Sequence, residues 1–142
     1  MGNTKPIGVA YSDQDISGAD LINAADIYAT DEIGYAAAAQ GTVTQLTSKS
    51  TGVTLNKSAG QITMNNAALG ATTNVSFTMT NSTISAKDVI SVNVAGGVAS
   101  NETYNCWVSG HSAGSATFVL RNISGGSLSE AVVLNFAVIH CT

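Results

Sequence analysis

The chain has 142 residues, which is room for about one domain at the usual ~100–200 residues apiece. Hydrophobic residues make up 44% of it and charged residues only 10%, so Thr, Ser and Asn must cover much of the surface. That much apolar side chain argues against disorder, no apolar run approaches the ~18–20 residues a membrane span needs, and a net charge of −4 leaves no basic footprint for nucleic acid or an anionic membrane.

The charges are partitioned along the chain. Residues 1–41 hold six acids (Asp13, Asp15, Asp20, Asp26, Asp31 and Glu32) against Lys5 alone, net −5; residues 42–142 hold three acids and four bases, net +1. Two regions are therefore expected, an acidic N-terminal arm over 1–41 and a domain over 42–142. The arm carries the only proline, Pro6, and no sustained alternation. One short helix is allowed from Ser17 to Tyr28, with Ser17 as cap and Leu21, Ile22 and Ala25 on one face. The opening Met-Gly-Asn-Thr-Lys-Pro leads into polar and acidic residues, not an apolar stretch, so the expectation is a protein made and assembled in a cytoplasm. Residues 36–41 suit either a hinge or a short helical turn.

From Thr42 the pattern becomes short polar/apolar alternations broken by Gly and Asn, the mark of strands with one buried face. Strands are expected at 42–47, 52–57, 61–66, 74–81, 89–94, 104–110, 116–123 and 131–141. In the last, Val132, Leu134, Phe136 and Val138 form an inward row opposed by Val133, Ala137 and Ile139, which predicts a central strand covered on both faces. No connection holds a helical crossover. The fold class that follows is all-β, an antiparallel two-sheet sandwich, jelly-roll-like, with the arm outside it.

Motif chemistry is thin. Gly110-His-Ser-Ala-Gly114 spells the G-x-S-x-G nucleophile elbow, and Glu130 and His140 follow in serine, acid, histidine order. An elbow needs a strand before the serine and a helix after it, whereas Ser112 runs straight into the strand-like Ser115-Ala-Thr-Phe-Val-Leu120. The string therefore reads as a glycine-rich hairpin and the chain as a non-enzyme. Asp13-x-Asp15 lacks the remaining oxygen ligands of a calcium loop, and His111, His140, Cys106 and Cys141 contain no zinc-type spacing, so neither metal nor cofactor is expected. In a jelly-roll order the strand of Cys106 would lie beside that of Cys141, leaving open a disulfide or two free thiols. Trp107 suits either core packing or an outward platform.

Gly41-Thr-Val-Thr-Gln-Leu-Thr-Ser-Lys-Ser-Thr-Gly-Val-Thr-Leu-Asn-Lys57 with Gly60-Gln-Ile-Thr-Met64, and later Leu120-Arg-Asn-Ile-Ser-Gly-Gly-Ser-Leu-Ser-Glu-Ala-Val-Val-Leu-Asn-Phe-Ala-Val-Ile139, resemble a β module of tailed-bacteriophage virion proteins. Such modules occur on capsid decoration (cement) proteins and on tail fibres. Thr4-Lys-Pro-Ile-Gly-Val-Ala-Tyr11 resembles the leader of small capsid-associated proteins. The short chain fits the capsid role better than a fibre with its long shaft. The resemblance implies a structural protein on the outer capsid surface of the virion, with the major capsid protein and a second or third copy of itself (homodimer or homotrimer) as partners. Ile7, Val9, Tyr11, Ile16, Leu21, Ile22, Ile27, Tyr28, Ile33 and Tyr35 are then the expected apolar capsid contacts. The alternative is a receptor- or glycan-binding module of a tail or head fibre, acting through loops and Trp107.

Overall fold

Eight strands follow one another along the chain in the computed structural model, which describes residues 29 and 31–141. They are β1 (Gln40–Thr44), β2 (Val53–Thr54), β3 (Ala59–Thr63), β4 (Asn74–Thr80), β5 (Val89–Gly96), β6 (Tyr104–Ser112), β7 (Ser115–Asn122) and β8 (Val133–Ile139), preceded by one 3₁₀ turn at Ala37–Ala39. Each falls on an expected segment. The expected short helix, most of the arm, and the contact candidates Ile7, Val9, Tyr11, Ile16, Leu21, Ile22, Ile27 and Tyr28 lie outside the described residues. The strands belong to a compact unit that begins at Gly34.

Two four-stranded sheets result, in the orders β1-β3-β8-β5 and β2-β4-β7-β6. Their inner faces meet in one core: Ile62, Leu134, Phe136 and Val138 come from the first sheet, Phe77, Met79, Phe118 and Leu120 from the second. Phe118 is fully buried at its centre, with its ring centroid 5.6 Å from Phe77, its cross-strand partner, and 6.2 Å from Phe136 in the opposite sheet. Emptying that position would remove contacts from three strands at once, which for Phe→Ala amounts to about 3–5 kcal/mol.

Four of the six ladders are antiparallel; β1–β3 and β2–β4 are parallel. The cause lies in how the chain travels. Every connection crosses from one sheet to the other except the β6–β7 hairpin, and each crossing reverses direction. Strands two apart in sequence therefore run the same way, and where β1 meets β3 and β2 meets β4 they pair in parallel without any helix between them. This order differs from the jelly-roll layout expected for the cysteines: β6 is an edge of the second sheet and β8 is central in the first. Cys106 on β6 and Cys141, beyond the end of β8, are free thiols, and β6 is tied by a tight hairpin to β7 and not to β8.

The inward row of β8 is buried as expected, at Val132, Leu134, Phe136 and Val138. The other face is not covered as expected: Val133 and Ala137 are half-buried, Asn135 is exposed and Ile139 is 58% exposed. Among the described residues no third layer lies over that face.

Buried polar side chains hold the connections. Asn122, fully buried, donates through Nδ2 to the carbonyls of Leu69, Gly70 and Gly126 and accepts at Oδ1 from the backbone N–H and hydroxyl of Ser124. At that end Lys49 is buried too, its Nζ donating to the carbonyls of Asn65 (2.5 Å) and Glu130. Burial pushes its pKa down, with the Glu130 carboxylate opposing. Backbone carbonyls here replace the water an ammonium would otherwise keep.

Candidate functional site

The elbow string is a hairpin. Ser112 ends β6, faces Ser115 across the turn with their hydroxyls 3.2 Å apart, and Gly114 takes the left-handed φ of +82° that the turn requires. Glu130 precedes β8 and accepts the Ala99 N–H at 2.6 Å, while His140 follows β8. The whole strand separates them, roughly 20 Å at ~3.3 Å per residue. Ser112, Glu130 and His140 are not brought together.

His140 has other partners. Its Nδ1 lies 3.0 Å from Oδ2 of Asp88 and its Nε2 lies 3.1 Å from the hydroxyl of Ser58. Asp88, in the turn before β5, is buried; Oδ2 also accepts the Ser85 N–H at 2.8 Å and Oδ1 the Cys141 N–H at 3.0 Å. Those two backbone donors hold its carboxyl below the ordinary range, His140 adds to this, and burial works against it. The cluster thus has the bonding order serine, histidine, aspartate. Proton transfer from Ser58 to Nε2, with Asp88 fixing Nδ1 as a donor, is the chemistry such an order permits. Its setting is that of a clasp: the His140 side chain is 40% exposed, and nucleophilic catalysis gains its strength from a water-excluded site. The main work falls to Asp88, which fastens the residues after β8 to the turn before β5. No sequence spacing announces this cluster, because it joins three segments that only the strand order brings together.

The outer face of the first sheet is built differently. Register places Thr42, Gln61, Asn135 and Asn93 side by side on β1, β3, β8 and β5. All four are exposed, and Gln61 donates through Nε2 to Oδ1 of Asn135 at 3.0 Å. The flanking row is Gln40, Ala59, Ala137 and Ser91. Beside the 3₁₀ turn the face sinks into an open groove of about 530 Å³, lined by Ala37, Gln40, Thr42, Ala59, Gln61 and Asn135 among others. Glycine at position 60 lets β1 lie this close to β3, and glycine at position 41 leaves room for the Leu55 side chain of the β2–β3 connection. A Cβ on Gly60 would stand 2.4 Å from the Gly41 carbonyl oxygen, and one on Gly41 would stand 2.9 Å from the Leu55 side chain. No outward-facing residue of these four strands is charged; at the rim, Lys57 Nζ is turned onto the Ala38 carbonyl at 2.7 Å.

Of the expected capsid contacts, two are described. Ile33 is 78% exposed. Tyr35 is half-buried, and its hydroxyl donates to the Val138 carbonyl while Gln40 Nε2 donates to the Tyr35 carbonyl at 2.6 Å. Tyr35 therefore packs on its own sandwich. Trp107 faces outward on the second sheet, opposite Val119, which is buried although it points away from the core. Among the described residues, no group of three or more His, Cys, Asp and Glu side chains is placed to hold a metal ion. No family model, curated protein or solved structure matches this chain.

Proposed function

We propose that this chain is a non-enzymatic virion structural protein, a phage capsid decoration protein that cements adjacent capsid subunits from the outside. The observation that carries the reading is the asymmetry of charge. Six acids crowd the first 41 residues, while the sandwich behind them offers a whole sheet face without a charge. An acidic strap suits a basic seam between subunits, and a rigid bead with one uncharged sheet face suits a capsomer surface. Each weak contact adds to those already made, because attachment at one point raises the effective concentration at the next. The resemblance of residues 41–64 and 120–139 to phage β modules supports the same reading, and copies at symmetry positions would bind as dimers or trimers.

The test is a truncation placed by the fold. Removing residues 1–33 leaves the unit that begins at Gly34, with Tyr35 still seated on Val138, whereas cutting at Gln40 would damage β1. The truncated chain should fold and should lose most of its affinity for capsids that the full chain coats at hundreds of copies per particle. Undiminished binding by the truncated chain would refute the strap, and a handful of copies per particle would favour a fibre component.

A further inference from the structure

We propose that the amide row Thr42–Gln61–Asn135–Asn93 on the outer face of the first sheet is a binding site for a neutral linear glycan. The inference does not rest on the capsid reading, since it requires neither the arm nor a shell.

The argument begins with what the face lacks. With no charged side chain pointing outward from β1, β3, β8 or β5, it offers nothing to a phosphate, a sulfate or a carboxylate. It also lacks the aromatic and arginine anchors that dominate protein–protein interfaces. What it does present is a line of groups that both donate and accept. A sugar hydroxyl does the same, so carboxamides and threonine hydroxyls pair with it in either direction.

The row is pre-set. The Gln61–Asn135 hydrogen bond uses one Nε2 hydrogen and one Oδ1 acceptor position. Gln61 Oε1 and the Asn135 amide hydrogens have no partner among the described residues and face solvent. Asn93 Nδ2 rests only on its neighbour's carbonyl, at 3.3 Å. Holding Gln61 and Asn135 in one arrangement beforehand reduces the entropy lost on binding. Spacing agrees as well. Neighbouring strands lie about 4.8 Å apart, so four in-register positions span roughly 14 Å, the reach of a short oligosaccharide laid across the strands. The alanines and serine of the adjoining row leave a low floor beside the amides, and the groove under Ala37 closes one end.

The full chain, uniformly labelled with ¹⁵N, is titrated with cellohexaose, maltohexaose and N-acetylchitohexaose in turn, to about 10 mM, a range that captures weak sites. At least one of these should shift the side-chain amide resonances of Gln61, Asn135 and Asn93. The double variant Gln61→Ala, Asn135→Ala, both exposed and therefore neutral to folding, should weaken that binding by about tenfold or more. Trp107→Ala should leave it unchanged, and circular dichroism checks that each variant is folded. Silence from all three sugars would overturn the proposal, as would shifts centred on Trp107. Shifts in the row that depend on protein concentration and not on sugar would overturn it too, assigning the face to contact between copies.

Discussion

His140 and Asp88 meet at 3.0 Å although 52 positions separate them in the chain. The histidine is the visible member of the pair and the aspartate the consequential one, since Asp88 also holds the backbone N–H groups of Ser85 and Cys141. Its folded carboxyl titrates below its ordinary 3.8. A lowered carboxyl contributes stability that is complete above the unfolded value and disappears as pH falls through the folded one. Urea midpoints measured between about pH 2 and pH 6 should therefore fall at the acid end. In Asp88→Asn the curve should be flatter and lower throughout, while His140→Ala should keep the acid limb with only a small offset. A wild-type curve as flat as that of Asp88→Asn would show that the carboxylate does not carry this role.

An alkaline limb of opposite sign comes from Tyr104. Its phenol is buried beside the Glu130 carboxylate and makes no hydrogen bond of normal geometry with the described residues. Burial first, and that carboxylate second, push it up to about 12. A raised phenol stabilises fully below the unfolded value near 10, and the contribution is lost as pH climbs from there toward 12. Lys49, lowered by burial, acts in the other direction and adds stability as pH rises from its lowered value to 10.5. The expected profile rises and then collapses at the alkaline end. Tyr104→Phe should abolish much of the collapse while changing the midpoint at neutral pH very little; absorbance at 295 nm during titration reports the ionisation itself.

Asn122 serves three carbonyls with a single amide. Truncation to alanine deletes these three bonds and the two that Ser124 makes to Oδ1, but the Leu69, Gly70 and Gly126 carbonyls keep the Leu128 N–H, the Thr73 N–H and the Ser124 hydroxyl as donors, so the loss should be about 1–3 kcal/mol. Asp in its place keeps the acceptor for Ser124 but aims a carboxylate at carbonyl oxygens, so it should be at least as damaging as alanine. Chemical denaturation of the two variants settles the order.

The thiols should react at separate rates. Cys141 is exposed, whereas Cys106 is half-buried and burial raises its pKa. Because the thiolate is the reactive species, an aromatic disulfide reagent should titrate one equivalent quickly and the second slowly, with the slow phase vanishing in urea. Mass spectrometry of the air-oxidised monomer should find no intramolecular bridge, since Cys106 lies beside Val94, level with Leu134 near the start of β8, whereas Cys141 lies beyond the other end of that strand.

All eight strands were legible in the sequence because alternation reports which residues face the core, and β8 carried the plainest alternation of all. Pairing was not. Alternation gives a strand its faces but not its neighbours, so the parallel β1–β3 and β2–β4 edges and the placing of Cys106 away from Cys141 emerge only from the path between sheets. The same limit hid both functional candidates. Ser58, Asp88 and His140 share no spacing, and Thr42, Gln61, Asn135 and Asn93 look like ordinary polar positions until register sets them abreast. The one literal motif, Gly110-His-Ser-Ala-Gly114, was legible as a hairpin from its surroundings, since a strand follows Ser112 where an elbow has a helix.

The position of β8 bears on how the protein is born. It is eighth in order of synthesis, yet β3 and β5 are joined only through it. While residues 133–139 are still inside the ribosomal tunnel, half of the first sheet has no partner for its other half, and the apolar inner faces of both sheets stand open. Productive folding must wait for β8, and a message truncated ahead of the β8 codons yields a chain fit for degradation instead of a smaller version of the same fold.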